Sequence, residues 1–297
     1  MARTVRAREV DSATAALLRD LWSRAGREDA VAPISEAFRL AVGPERQGVV
    51  HLLRCAASGT LVGYGQVAGT SGPDAVAELV VDPPHRRHGH GRALLDAALE
   101  EGTRSVWAHG MLPAADALAR SAGLEMTRSL HLMRRPLTHT DAVDPELPQG
   151  FSVRAFLPGG DDETWVRVNA AAFARHPEQG SLTLADLHER MDQPWFDPAG
   201  LLVVEDDATG EVVAFHWTKV EGSTGSGEVY VVGVDPAYQG RGLGAPLTQL
   251  GLAHLARLGL EEVELYVDGD NTAARRTYER LGFVDVGVDG QYTRAGT

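Results

Sequence analysis

The sequence predicts an α/β protein of two tandem domains, each a mixed, mostly antiparallel sheet flanked by helices. Three observations predict it. Val81-Asp82-Pro83-Pro84-His85-Arg86-Arg87-His88-Gly89-His90-Gly91 returns as Val234-Asp235-Pro236-Ala237-Tyr238-Gln239-Gly240-Arg241-Gly242-Leu243-Gly244, at a constant offset of 153 (235 − 82, 242 − 89). Each copy follows an apolar, β-branched run and opens a stretch rich in Ala and Leu, which reads as strand, glycine turn, helix. The chain has 297 residues, enough for two domains that each bury a core.

In the first half, strands are expected near 4–10, 49–55, 61–69, 75–81 and 104–109, with closing strands up to Leu137. Helices are expected near 12–25, 34–42, 89–101 and 113–122, and Ser58-Gly59-Thr60 turns a hairpin. Ser35 looks like a helix cap, with Glu36 a favourable first-turn anion. The polar stretch 138–150 contains Pro145 and Pro148, has no apolar period and reads as the linker between domains 1–140 and 151–297. The second half repeats the order. Its strands fall near 151–156, 201–206, 211–220, 227–234, 261–267 and 283–294, and its helices near 162–174, 183–192, 243–258 and 271–281. Asp206 to Gly210 forms the matching hairpin turn.

Composition excludes several classes. A formal charge of −13 argues against a nucleic-acid partner, although Arg86-Arg87 forms a local basic patch. The one cysteine, Cys55, rules out an intrachain disulfide, fits a reducing cytoplasm and reads as a buried structural residue in the run from Val49. Residues 1–30 lack the apolar core of a signal peptide, and no run of about 18 apolar residues could span a membrane. The 11 histidines show no metal-ligand spacing, so no metal is expected. Of the 28 basic residues only Lys219 is a lysine, so a compact ammonium there has survived an arginine bias.

A glycine turn between strand and helix aims backbone N–H groups and a helix dipole at one point, which suits a phosphate. Neither copy ends in the Gly-Lys-Ser/Thr of a P-loop, and both follow a fourth strand rather than the first strand of a dinucleotide fold. At this point the residues resemble the GCN5-related N-acetyltransferase (GNAT) family, whose signature is Q/R-x-x-G-x-G/A after the fourth strand. Gln239-Gly240-Arg241-Gly242-Leu243-Gly244 fits it fully, and Arg86-Arg87-His88-Gly89-His90-Gly91 fits with Arg in first place.

The resemblance implies two GNAT folds and acetyl-CoA as co-substrate, its pyrophosphate on the loop amides. The residues it implies for acetyl-CoA in the second half are Val232, Gly233, Val234, the loop Gln239 to Gly244, Ala245, and Asn271, Thr272, Ala273, Ala274, Arg275 and Arg276. In the first half they are Leu79, Val80, Val81, Arg87, His88, Gly89, His90, Gly91, Arg92 and Ala93. Asn271 or Thr272 can cap the last helix and Gly282 can end it.

Acetyl transfer to an amine needs a base for the ammonium, a donor for the oxyanion and a proton for the departing thiolate. Glu228, opening the strand into the second turn, is the candidate base; Tyr278 is the candidate acid; a backbone amide near Val232 is the oxyanion donor that the family implies. The duplication works as an internal control. It sets Ala119 opposite Tyr278, Leu112 opposite Asn271 and Ala75 opposite Glu228, and the spacing from Glu78 to Asp82 puts Glu78 on the other strand face. The first half is therefore expected to be non-catalytic while still able to hold acetyl-CoA.

The string 266–283, together with the duplication, resembles tandem family members that acetylate the cysteinyl amine of cysteinyl-glucosaminyl-inositol. That implies a monomer with a small-molecule acceptor, no membrane or nucleic-acid partner, and Glu36, Glu178, Lys219, Glu228 and Tyr266 as substrate-binding residues. Two alternatives stay open at this stage. One is acetylation of another amine, in an aminoglycoside, polyamine or protein; the other is an acetyl-CoA sensor without catalysis.

Overall fold

The computed structural model describes residues 2–69, 75–174, 176, 179–222 and 225–294, so Glu178 lies outside the described residues. Two compact units emerge: one runs to Leu130 and includes the chain again from Gly287, the other spans His131–Val286. The polar stretch 138–150 falls inside the second unit, and the units divide within two long strands.

The first unit contains β1 (Arg3–Ala7), α1 (Ser12–Asp29), α2 (Glu36–Leu40), β2 (Val49–Cys55), β3 (Leu61–Ala68), β4 (Val76–Val81), α3 (His90–Glu100), β5 (Ser105–Ala108), α4 (Pro113–Ser121) and the start of β6 (Leu124–Pro136). Its sheet runs β1-β2-β3-β4-β5. The hairpin-joined pairs are antiparallel, and β4–β5 is parallel because α3 carries the chain back across. The end of the chain adds a further strand, pairing Gly290–Thr293 antiparallel with β5.

Local chemistry explains these elements. Asp11 caps α1 by accepting from Thr14 N at 2.7 Å. Helical spacing sets Leu18, Leu21, Trp22 and Ala25 in one buried stripe against Tyr64 and Val80. On the opposite face α3 buries Leu94, Leu95, Ala97 and Ala98 with Val106, Leu124 and Tyr292.

The second unit holds the rest of β6, then β7 (Phe151–Ala155), α5 (Asp162–Ala172), α6 (Leu184–Met191), β8 (Leu201–Asp206), β9 (Val212–Lys219), β10 (Ser226–Val234), α7 (Gly244–Arg257), β11 (Glu262–Asp268), α8 (Thr272–Arg280) and the start of β12 (Val284–Arg294). Its sheet runs β11-β10-β9-β8-β7, with β10–β11 the parallel pair. Trp165, Phe215 and Trp217 fill the side under α5, and Leu252, Leu255, Val263, Leu265 and Tyr278 the side under α7 and α8.

Three expectations change. The closing strands expected in the first half are one strand, β6, whereas β12 lies where a single closing strand was expected. Ser35 precedes α2, but its hydroxyl makes no cap bond; its backbone N donates instead to Glu78 Oε2 at 2.7 Å. Cys55 is half-buried rather than buried, because it ends β2 where that strand meets its turn.

Tyr292 is 2% exposed in the first unit's core and its hydroxyl donates to Asp116 at 3.1 Å. Tyr292→Ala should destabilise this unit by roughly 3–5 kcal/mol, the cost of emptying a large aromatic site. Urea unfolding followed by circular dichroism checks it; a loss below about 1 kcal/mol would show that the last strand adds little.

Candidate active site

In the second unit the parallel register of β10 with β11 covers Ser226–Val229 against Glu262–Leu265, although β10 continues to Val234 and β11 to Asp268. The strands part beyond Val229. In an extended strand, alternate N–H groups point to opposite edges, so part of the Val232–Val234 backbone faces the opening. A bulge between Val229 and Val231, on the β9 side, marks the fork. Gly233 belongs there for a steric reason: a Cβ would sit 2.9 Å from the Phe215 ring.

Beyond β10, Asp235 Oδ1 accepts from Ala237 N at 2.9 Å and Gln239 Nε2 donates to Val234 O at 3.4 Å, which closes the turn. Gly240 and Gly242 then take left-handed backbone, φ 78° and 81°, and α7 starts at Gly244. A glycine meets that demand without strain. The Arg241 guanidinium stacks 4.4 Å from the Tyr238 ring. Asn271 caps α8, accepting from Ala274 N at 3.2 Å, and Gly282 ends it with φ 89°. Arg275 is engaged by Asp285 at 2.8 Å.

Glu228 stands on β10 before the fork, half-buried, in register with Lys219 on β9 and Glu264 on β11. Tyr278 is 7% exposed and packs its ring edge-on against Phe283 at 5.8 Å. Burial pushes its hydroxyl up to about 12, which keeps it a neutral donor. Tyr266 is exposed on β11 and Lys219 is buried at the end of β9, while Glu36 begins α2 in the first unit.

The first unit repeats the cradle with other residues. Here Arg87 and Gly89 take left-handed backbone, φ 64° and 79°, at the places of Gly240 and Gly242. Arg86 closes the turn as Gln239 does, its Nε donating to Val81 O at 3.1 Å, and Asp29 anchors its guanidinium at 2.7 Å. β4 and β5 are in register only over Val76–Glu78 and Ser105–Trp107. Past that fork opens a cleft of about 570 Å³ lined by Leu79, Val81, Gly89, Gly91, Val106, His109 and Leu118 among others. Its size and apolar walls with a basic, glycine-rich mouth fit an elongated ligand ending in phosphate.

Two expectations about the duplication are refined. β3 and β4 pair without a bulge, so the extra residue in β10 makes Val76, not Ala75, the counterpart of Glu228. The same residue restores the parity, so Glu78 shares the face of Val76, contrary to the sequence expectation. Glu78 is buried and tied down, accepting from Ser35 N and lying 3.4 Å from His109 Nε2. His109 Nδ1 in turn meets Asp289 at 2.8 Å. Sequence reading missed His109 and Asp289 because 180 residues separate them, and it missed Trp195 and Tyr230, whose rings flank Lys219. The adjacent aromatics of Pro194-Trp195-Phe196 were the available signal.

A duplicated sheet with a forked parallel pair and a glycine turn at each fork defines a tandem N-acetyltransferase of the GNAT class. Comparison with known proteins agrees: the Acetyltransferase (GNAT) family matches residues 168–283 and the Acetyltransferase (GNAT) domain matches residues 47–123. Mycothiol acetyltransferases of Streptomyces coelicolor and Streptomyces avermitilis are each 52% identical over 276 residues, covering 92% of this chain and 89% of the relative. A solved tandem GNAT protein from the clavulanic acid biosynthesis pathway shares the fold, with TM-score 0.73 and 18% identity over 99% of this chain and 98% of that one. The chain belongs to the mycothiol acetyltransferase family. Among the described residues no helix is long and apolar enough to cross a membrane, and no group of three His, Cys, Asp or Glu side chains could hold a metal ion.

The His109 cluster gives the first unit a pH signature. Burial alone would lower this imidazole, but the hydrogen bond to Asp289 and the nearby Glu78 raise it to about 10. A folded value above the ordinary histidine value of about 6.5 means that the stabilisation is complete below pH ~6.5 and is lost as pH rises through about 10. The stability gap between wild type and His109→Gln should therefore narrow over that window in urea melts; a gap constant with pH would contradict the charged cluster.

Proposed function

We propose that the second unit transfers the acetyl group of acetyl-CoA to the cysteinyl amine of cysteinyl-glucosaminyl-inositol, the closing step of mycothiol biosynthesis. What supports this reading is that Glu228 precedes the fork on β10, that Tyr278 packs in one apolar cluster with Val229 and Val232 of that strand, and that the chain is 52% identical to a mycothiol acetyltransferase. GNAT acetyltransferases use acetyl-CoA. The residues present suit it: the Gly240 and Gly242 backbone offers N–H groups and an uncrowded surface, since a Cβ at Gly240 would meet nothing within 4 Å.

Each residue then has a task. The turn amides and the N-terminus of α7 hold the pyrophosphate. Glu228 takes a proton from the acceptor ammonium, so that the free amine attacks the thioester carbonyl. An N–H of the parted strand near Val232 stabilises the oxyanion. As the C–S bond breaks, Tyr278, neutral at working pH, gives a proton to the departing sulfur, and the extra proton on the newly bonded nitrogen leaves to solvent, from which the tyrosine is reprotonated. No metal has a part in this scheme. Tyr266 remains a proposed acceptor contact, as does Glu178, and a single-chain enzyme is part of the same proposal.

The first unit kept the cradle and not the chemistry. Ala119 occupies the seventh position of α4, where α8 has Tyr278, and Val76 stands where β10 has Glu228. We read it as a holder of acetyl-CoA without catalysis.

Steady-state kinetics of single variants test the roles. Glu228→Gln should lower turnover by roughly 10²–10⁴-fold, most at low pH where the ammonium is hardest to deprotonate. Tyr278→Phe should lower kcat with little change in acceptor KM. Near-normal kcat for Glu228→Gln across about pH 6–9 would reduce Glu228 to a binding residue.

A further inference from the structure

Lys219 ends β9 with 5% of its side chain exposed, and a buried ammonium is costly unless something compensates its charge. The structure surrounds it. The Trp195 and Tyr230 ring centroids lie 5.0 and 5.4 Å from Nζ, within the range where an aromatic face attracts a cation. Those two rings meet edge-on at 5.0 Å, Trp217 backs both, and Arg190 Nε fixes the Tyr230 hydroxyl at 3.1 Å. The box is therefore stiff.

Two carboxylates complete it: Glu221 at 3.1 Å and Glu228 at 4.0 Å from Nζ. Glu221 is 60% exposed, so water screens much of its attraction, whereas Glu228 is 23% exposed. Glu228 also has a second acid beside it. Glu264 is its register partner on β11 and is held by Arg134 at 2.7 Å. Across the strands the order is Lys219, Glu228, Glu264, Arg134, or plus, minus, minus, plus. Like charges in register repel, and each carboxylate has a cation on its outer flank. For Glu264 the cation is an arginine at the half-exposed side; for Glu228 it is the boxed lysine.

We propose that Lys219 is a positioning residue, clamped by Trp195 and Tyr230, whose fixed charge keeps Glu228 ionised against Glu264 so that Glu228 can accept the acceptor's proton. This rests on the reading of Glu228 as the base. An opposite charge within about 4–6 Å favours a carboxylate's ionised form by about 1–3 pH units, so the effect should appear in the acidic limb of the rate profile. The aromatic pair acts by denying the ammonium other positions, and a smaller group at Trp195 should weaken the same effect in part.

The test is kcat/KM against pH for the full-length enzyme, Lys219→Met, Trp195→Phe, Trp195→Leu and Glu228→Gln, with acetyl-CoA and a cysteinyl-amine acceptor. Methionine fills the aromatic box without charge. Lys219→Met should move the acidic limb up by about 1–3 units, so that activity falls by about 10- to 1000-fold at pH values below the wild-type limb and recovers toward wild type on the alkaline side of the shifted limb. Trp195→Leu should move the limb in the same direction by less, and Trp195→Phe hardly at all. A loss that is uniform with pH in Lys219→Met, or an unmoved limb, overturns the proposal while Glu228→Gln is inactive. Should Glu228→Gln keep near-normal activity, the reading of Glu228 as base fails, and the proposal fails with it for that separate reason.

Discussion

A backbone N–H inside a sheet is satisfied only while its neighbour strand stays alongside. In the second unit β11 leaves β10 after Val229, and the β10 backbone from there to Val234 borders an opening instead of a strand. The bulge at Tyr230 sits at that point and turns the side chains before it relative to those after it. In the proposed scheme Glu228 precedes the fork, an amide within it would be the oxyanion donor and the turn that would hold the pyrophosphate follows. The distance from Glu228 to Val234 is six residues of extended chain, roughly 20 Å, long enough to lay a thioester and its arm along one strand. Each role in the proposed scheme depends on that parting.

The two units show which parts of the arrangement are backbone and which are side chain. Arg87 and Gly89 reproduce the left-handed conformations of Gly240 and Gly242, so the turn survived even where a residue with a Cβ must adopt an unfavourable φ. The forks also survived, and the first opens into a large cleft. The titratable groups did not. Glu78 lies on the correct face but is committed to Ser35 and His109, and Ala119 replaces the tyrosine.

Much of this was legible in the sequence because it is local. Strand and helix periods, the 153-residue repeat and the glycine positions placed nearly every element, and β2 and β8 begin and end where the periodicity put them. The cap by Asn271 and the stop at Gly282 follow from residue type alone. The remainder depended on contacts that no spacing records. A one-residue bulge altered the pairing of Glu228 with its counterpart and reversed the face assigned to Glu78. The chain's last strand joins the first unit, so Asp289 meets His109 across 180 residues. Lys219 was picked out by composition, but its aromatic box comes from a loop after α6 and from the bulged residue itself.

Acetyl transfer is proposed to take place only at the fork of the second unit, with the co-substrate held by the turn after β10. Acetyl-transfer rates of full-length Gly242→Glu and Gly89→Glu, each first shown to be folded, test it most directly. A glutamate at Gly242 puts bulk and negative charge where the pyrophosphate must lie, and should abolish turnover. The same change at Gly89 should leave substantial activity. Equal loss in both folded variants would mean that the first unit's turn is as necessary for turnover as the second's.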